Sequence, residues 1–479
     1  MKRKEDFSFY ATVLFGLLVL VLWMTAELYV QDVEGRAQFV VLEEPTQPVF
    51  FIGMAASSEY SDEVYAFAND EIDTNARYRL RADVGTYGIS GTSVTLLDYN
   101  GDGVDDVAIG GSQEVDDGLL VRIYSGKSDH RILLELNSDY TNDFLHASVF
   151  SVGDMNFDGI DDLAITNRDS GSFARPDEHD PGRYWVKVFS YRNGELYTLY
   201  SPDYGVYDSG FGYAVAGFDL DNDGINELAI GSPYEFLHSQ QGSFGKGILR
   251  VYKLSRYFQP MPLWSAAGFD PGDQFGISLA SIGDINGYGE DLLIGAPRYV
   301  DTSRTVSGKA YVYGLYRLPS TEALVFSQLR EYTGSDIGDR FGKSISGVGD
   351  VTGDGVNDVL IGAPYHDSTP GANDNVGAVY VYSGSSVSQR VHFFEGRRAQ
   401  DRYGISLAGV GDINQDNRPD YIVGAPFNAF SRGRVKLFSG RTGEVLADYY
   451  ADPRGISQFF GQSLAGRWQQ GFYDALHLF

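Results

Sequence analysis

Five segments of nine residues carry oxygen side chains at positions one, three, five and nine, a spacing that can wrap a hard cation. The donors are Asp98, Asn100, Asp102 and Asp106; Asp154, Asn156, Asp158 and Asp162; Asp219, Asp221, Asp223 and Glu227; Asp350, Thr352, Asp354 and Asp358; and Asp412, Asn414, Asp416 and Asp420. Position seven adds a main-chain carbonyl from Val104, Ile160, Ile225, Val356 or Arg418. Calcium accepts six to eight oxygen ligands in flexible geometry, so it is the expected occupant, in about five sites. Position six is Gly103, Gly159, Gly224, Gly355 or Asn417, the residue types that most readily turn left-handed. An acidic turn without metal competes for any single copy; five copies in register favour the cation.

The elements that hold these loops follow from what comes next. A helix-loop-helix calcium site needs a carboxylate at position twelve, but here that position is Ile109, Ile165, Ile230, Ile361 or Val423. Short apolar runs ending in glycine follow instead, as at 107–110, 228–231, 359–362 and 421–424, and they read as strands. The loops therefore join strand to strand. A sixth copy, Asp284 to Asp291, is one residue short and has Tyr288 where a carboxylate belongs, so weak calcium binding or none is expected there.

The six copies begin at residues 98, 154, 219, 284, 350 and 412. About ten residues before each stands an aromatic–glycine pair or a variant: Tyr87-Gly88, Phe144-Leu145, Phe211-Gly212, Phe275-Gly276, Phe341-Gly342 and Tyr403-Gly404. Gly-Ala-Pro follows the loop, clearest at Gly295, Gly362 and Gly424, and then come two alternating segments such as 378–382 and 390–394. Four strands in a unit of about 60 residues make one blade of a β-propeller.

These motifs resemble the FG-GAP repeats of the N-terminal β-propeller of integrin α subunits, over roughly residues 45 to 479. The resemblance implies a seven-bladed all-β propeller, calcium in the strand-to-strand loops, and protein partners on the other face. Seven units over residues 37–479 give about 63 residues each, inside the observed spacings. Repeats are expected near 87–143, 144–210, 211–274, 275–340, 341–402 and 403–459, with a closing blade from 460–479 plus about 46–86. Either 49–55 or 473–479 supplies the second strand of that blade. The repeated aromatics, Phe460 included, are expected to pack between blades. The chain ends within the closing unit, so the leg domains and second span of an integrin α subunit are not expected.

Lys2, Arg3 and Lys4 precede an uncharged apolar run from Phe7 to Ala26. This reads as an exported start, residues 1–30, acting as an uncleaved signal anchor helix or alternatively as a cleaved signal peptide that releases a secreted chain. Residues 31–45 read as a linker, and 46–479 as the propeller at a cell surface or in a periplasm. The formal net charge of -28 argues against nucleic acid as partner, and the absence of cysteine excludes disulfides and thiolate metal sites.

The seven histidines show no metal-ligand spacing, and no nucleophile elbow or phosphate loop appears, so no enzyme and no catalytic residue is expected. Alternating connections put the acidic loops on one face. The longer loops at 110–118, 166–183, 231–247, 295–308 and 362–377 fall on the other. Loops on a rigid scaffold are where binding resides, so the expected function is a calcium-stabilised protein-interaction or adhesion module. The alternatives are a lectin-like propeller binding a surface glycan, or a glycan-active hydrolase or lyase.

Overall fold

The computed structural model describes residues 88–467, except 114–117, 128–129, 138–144, 170–183, 203–208, 236–244, 256–257, 299–306, 386–388, 429–431 and 451–458. It also describes the strands at 28–33, 36–41, 48–53, 63–68 and 78–81. Residues 1–47 and 48–479 form separate units. In the first, Leu28–Val33 pairs antiparallel with Arg36–Val41, so a hairpin stands where a linker was expected.

The second unit is built of antiparallel four-stranded sheets. Blade I is Gly88–Leu97, Asp106–Gln113, Gly118–Tyr124 and Ile132–Asn137; blade II is Leu145–Gly153, Asp162–Asp169, Trp185–Ser190 and Gly194–Tyr200. Blade III is Ala214–Phe218, Glu227–Ser232, Ile248–Ser255 and Phe258–Ala267; blade IV is Leu279–Ser281, Leu292–Ala296, Lys309–Arg317 and Leu324–Thr333. Blade V is Ser344–Gly349, Asp358–Ala363, Ala378–Tyr382 and Arg390–Glu395; blade VI is Ser406–Gly411, Asp420–Ala425, Arg434–Phe438 and Val445–Tyr450.

The expected fold is corrected on two points. Six blades of four consecutive strands are formed, not seven, because the strands of the remaining unit come from opposite ends of the chain. The two chain ends share a further four-stranded sheet, where the closing unit was expected, ordered Ser463–Gly466, Pro48–Gly53, Glu63–Ala68, Tyr78–Arg81. Residues 48–53 take the place beside Ser463–Gly466, while 473–479 lie outside the described residues. Nor does a helix precede the propeller among the described residues: every named element is a strand, and no described helix is long and apolar enough to cross a membrane. The apolar run at 7–26 lies outside the described residues.

The second strands are the innermost apolar ones. Glu227–Ser232, Leu292–Ala296, Asp358–Ala363 and Asp420–Ala425 are buried along their whole length, since each is flanked by strands within its blade and by neighbouring blades on both faces. Fourth strands are the outer edge, and Arg390–Glu395 carries no fully buried residue.

The aromatic–glycine motif is an inter-blade device. Phe211, Phe275, Phe341 and Phe460 are each 1 % exposed or less, and each sits in a cluster drawing on two adjacent sheets. Phe341, for example, packs among Leu293 and Val312 of blade IV and Val359 and Ile361 of blade V. The next glycine adopts φ between 81° and 86° at Gly212, Gly276, Gly342, Gly404 and Gly461, which a side chain would strain. Its N–H donates to the glycine carbonyl of the Gly-Ala-Pro segment in its own blade, as from Gly342 to Gly362 at 3.0 Å. A Cβ on that partner would in turn strike the next blade: on Gly295 it would lie 2.0 Å from the Gly342 carbonyl oxygen. A serine two residues further on fastens the seam, Ser278 Oγ donating to Gly342 O at 2.9 Å and Ser406 Oγ to Gly461 O at 2.6 Å.

Candidate metal loops

Each acidic nonapeptide connects the first and second strands of its blade. Position-one carboxylates organise the turn. Asp98 accepts N–H groups from Gly101, Asp102 and Gly103 at 2.9–3.0 Å, and Asp219 accepts those of Asp223 and Gly224 at 3.0 and 2.9 Å. Position five accepts from position seven, as from Ile160 to Asp158 at 3.1 Å. The position-six residues are left-handed, with φ of 80° at Gly103, Gly159 and 65° at Asn417. These bonds turn position-one and position-five oxygens inward.

Position nine behaves differently. Asp106, Asp162, Glu227, Asp358 and Asp420, with Asp291 of the short loop, are all 0 % exposed. Each accepts an N–H from near the start of its own loop, for example Met155 to Asp162 at 2.9 Å and Ile413 to Asp420 at 2.8 Å. In three blades its second oxygen accepts from a glycine after the third strand: Gly126, Gly384 and Gly440, at 3.0, 2.9 and 3.0 Å. These glycines have no room for a Cβ, which on Gly384 would lie 1.7 Å from the Asn357 carbonyl oxygen. Gly384→Ala is therefore expected to destabilise the chain by about 3 kcal/mol or more, read from chemical denaturation; a loss under about 0.5 kcal/mol would contradict this tie.

Burial pushes the position-nine carboxyls up, and neighbouring carboxylates add to the shift: Asp106 to about 7, Asp162 to about 8, Glu227 to about 7 and Asp291 to about 7. Asp358 and Asp420 rise to about 6, also chiefly by burial. Ordinary carboxyls titrate near 4, so without a cation the folded chain binds more protons than the unfolded chain between about pH 4 and pH 8. That stabilisation is present at the acid end and is lost as pH rises through the window. In chelator the chain is expected to melt lower at pH 8 than at pH 5.5, and saturating calcium should narrow or invert the gap by selecting the ionised form. A chelated protein that melts higher at pH 8 would contradict the burial of uncompensated carboxylates.

In blade VI, Asp416 Oδ1 is buried with no hydrogen-bond partner, although its other oxygen accepts from Asn414 Nδ2 at 3.0 Å and Ser439 Oγ at 3.1 Å. In blade III, Asp219, Asp221 and Glu227 bring ligand atoms within 4.8 Å of one another. Here Lys253, from the third strand, places Nζ 3.0 Å from Asp221, 2.6 Å from Asp223 and 3.3 Å from Glu227. An ammonium thus already compensates this cluster, and a divalent ion would have to displace it. The donors fit a cation. The short loop fits poorly: Asn286 Nδ2 donates to Asp291 Oδ1 at 3.2 Å and Leu315 O at 3.0 Å, and Tyr288 stands where the position-five carboxylate belongs.

Two groups of residues were missed in the sequence. Position eight links blades: Asn226 Nδ2 donates to Val152 O at 2.9 Å, Asn357 Nδ2 to Ile282 O at 3.0 Å, and Asp161 Oδ2 accepts the Asp98 N–H at 3.1 Å. Asp105 at the same position pairs with Arg467. The serine–glycine pair after the third strand, Ser125-Gly126, Ser383-Gly384 and Ser439-Gly440, recurs in the sequence and could have been found by its repetition. Tyr87 and Phe144, and the loop stretches 114–117, 170–183, 236–244 and 299–306 on which binding was expected, lie outside the described residues.

Fold and loops define a β-propeller whose acidic turns all join first to second strands. The FG-GAP repeat family matches residues 90–120, 211–251 and 341–382. The chain is 31 % identical to integrin alpha-V of Gallus gallus over 51 % of its own length and 22 % of that protein. It is 32 % identical to integrin alpha-PS2 of Drosophila melanogaster, over 49 % of this chain and 16 % of that protein, and 30 % identical to integrin alpha-5 of Xenopus laevis, over 51 % and 24 %. The chain thus carries FG-GAP repeats and is similar to integrin alpha subunits, matching a quarter or less of the length of these relatives. Among solved structures, Chaetomium thermophilum Sqt1 bound to the N-terminus of ribosomal protein L10 aligns at 13 % identity and TM-score 0.43, covering 85 % of this chain and 88 % of that one. The rhamnogalacturonan lyase YesW aligns at 14 % and 0.40, covering 90 % and 76 %. Scores this low carry nothing about function.

Proposed function

We propose that the chain is an extracytoplasmic protein-interaction or adhesion module whose five complete acidic loops hold calcium structurally. The observation that carries the calcium reading is Asp416 Oδ1, buried without a hydrogen-bond partner in a loop that holds further carboxyl and amide oxygens. Calcium would be held by the side chains at positions one, three, five and nine and the carbonyl at seven. In blades I and II, Asn100 and Asn156 now donate their amides to position nine, so on binding each amide turns its oxygen inward. The cation would supply positive charge to carboxylates that otherwise repel one another.

Partner binding belongs to the longer connections at the opposite ends of the strands, because loops held on a rigid scaffold are where binding resides. The likeness to integrin α subunits favours a protein partner, and export with a tether through residues 7–26 would place that face outside the cell. A pull-down from exterior proteins run beside a glycan array tests this reading. Retention of a protein and of no glycan is the expected result. Selective glycan retention would replace adhesion by a lectin, and turnover of the glycan would make the chain an enzyme.

A further inference from the structure

Blade V carries a second convergence of metal-ligating side chains, at the strand ends away from its acidic loop. Asp336 and Asp339 lie in the connection from blade IV, His366 follows the second strand, and Glu395 ends the fourth. His366 Nδ1 stands 2.8 Å from Asp339 Oδ2 and 4.0 Å from Asp336 Oδ2, while Nε2 stands 3.7 Å from Glu395 Oε1. His366 and Asp339 are 8 % and 1 % exposed.

The adjacent blade shows what simple pinning needs. There Asn428 Nδ2 donates to Asp401 Oδ2 at 2.8 Å, from the same places relative to the Gly-Ala-Pro and aromatic–glycine segments. A neutral amide suffices. Where blade V has Asp336 and Glu395, blade VI has Arg398 and Tyr450, so the imidazole and the extra carboxylates occur together in blade V only of this pair.

We propose that Asp336, Asp339 and His366 form a site for a borderline divalent cation such as Zn2+, separate from the acidic loops. Imidazole nitrogen with carboxylate oxygen suits zinc, whereas calcium takes oxygen ligands. The three ligand atoms lie within 4.8 Å of one another. Donors bound tetrahedrally at zinc distances sit about 3.4 Å apart, and the 2.8 and 4.0 Å separations straddle that value. The cation takes the place of the proton on Nδ1, which leaves to solvent. Glu395, with Oε1 3.7 Å from Nε2, favours the tautomer that keeps its proton on Nε2 and leaves the Nδ1 lone pair for the cation. The Asp336 side chain, 39 % exposed, leaves a coordination position open to water.

The test titrates the full chain with Zn2+, and with Co2+ as a spectroscopic substitute, in saturating calcium so that the acidic loops are blocked. One zinc per chain is expected, with a cobalt visible spectrum that is lost in His366→Asn. That variant keeps the amide pin of blade VI and should melt, without zinc, close to the parent while binding zinc about 100-fold more weakly; Asp336→Asn, which spares the pin, should weaken it about 10-fold. No uptake by the parent, or equal affinity in parent and His366→Asn, which marks an adventitious ion only, overturns the site. Should His366→Asn fail to fold, unchanged affinity in Asp336→Asn overturns it instead.

Discussion

Chelating calcium is expected to lower the stability of the folded chain by about 7 kcal/mol, because a ligand at ten times its Kd contributes about 1.4 kcal/mol at each of five sites. Whole domains are stable by only about 5–15 kcal/mol, so the chelated chain should melt many degrees lower and approach unfolding at physiological temperature. The size of the effect comes from what each loop holds. Position-nine carboxylates are buried at 0 % exposure, tied to loop N–H groups, and surrounded by further carboxylates. A melting scan with and without chelator at pH 7.5 reads the difference directly, and coincident curves would remove calcium from the account of stability.

The second large effect falls on the seams between blades. Phe341→Ala is expected to cost about 3–5 kcal/mol, the range for deleting a fully buried aromatic ring. Phe341 is 0 % exposed and lies edge-on to Tyr380, with ring centroids 5.2 Å apart, while its cluster spans blades IV and V. Neighbouring blades cannot collapse into the space, because the glycine contacts beside it are already at closest approach: a Cβ on Gly342 would lie 2.3 Å from the Lys309 carbonyl oxygen. Urea denaturation measures the loss. A cost near 1 kcal/mol would mean that the aromatic–glycine motif serves the turn and not the seam.

Most of the blade plan was legible in the residues. The apolar position twelve turned a helical calcium loop into a strand-to-strand turn, and the structure places each copy there. The aromatic–glycine and Gly-Ala-Pro segments recur because both belong to one contact, made where two blades meet. The blade count was less legible. The partial repeats at the two chain ends announce a shared sheet, while the count of seven comes from dividing the length equally, which does not distinguish that sheet from a blade of consecutive strands. Loop chemistry was legible at positions one, three, five and nine, where carboxylates and amides recur. Lys253 was not, because it enters from a strand 30 residues beyond Asp223 and carries no motif of its own. Position eight was hidden for another reason. Asp161, Asn226 and Asn357 read as further polar residues of an acidic run, and only the neighbouring blade reveals what they bind. The blade V histidine carries no local signal because its partners lie 27 to 30 residues away, on the connection from blade IV and at the end of the fourth strand.

The most direct test of the calcium account is a count of bound ions. Equilibrium dialysis followed by atomic emission should give five calcium ions per chain, and four in Asp354→Ala, with the loops of the other blades unaffected. A parent chain that binds none, or a variant that binds as many as the parent, would contradict the assignment of calcium to these loops.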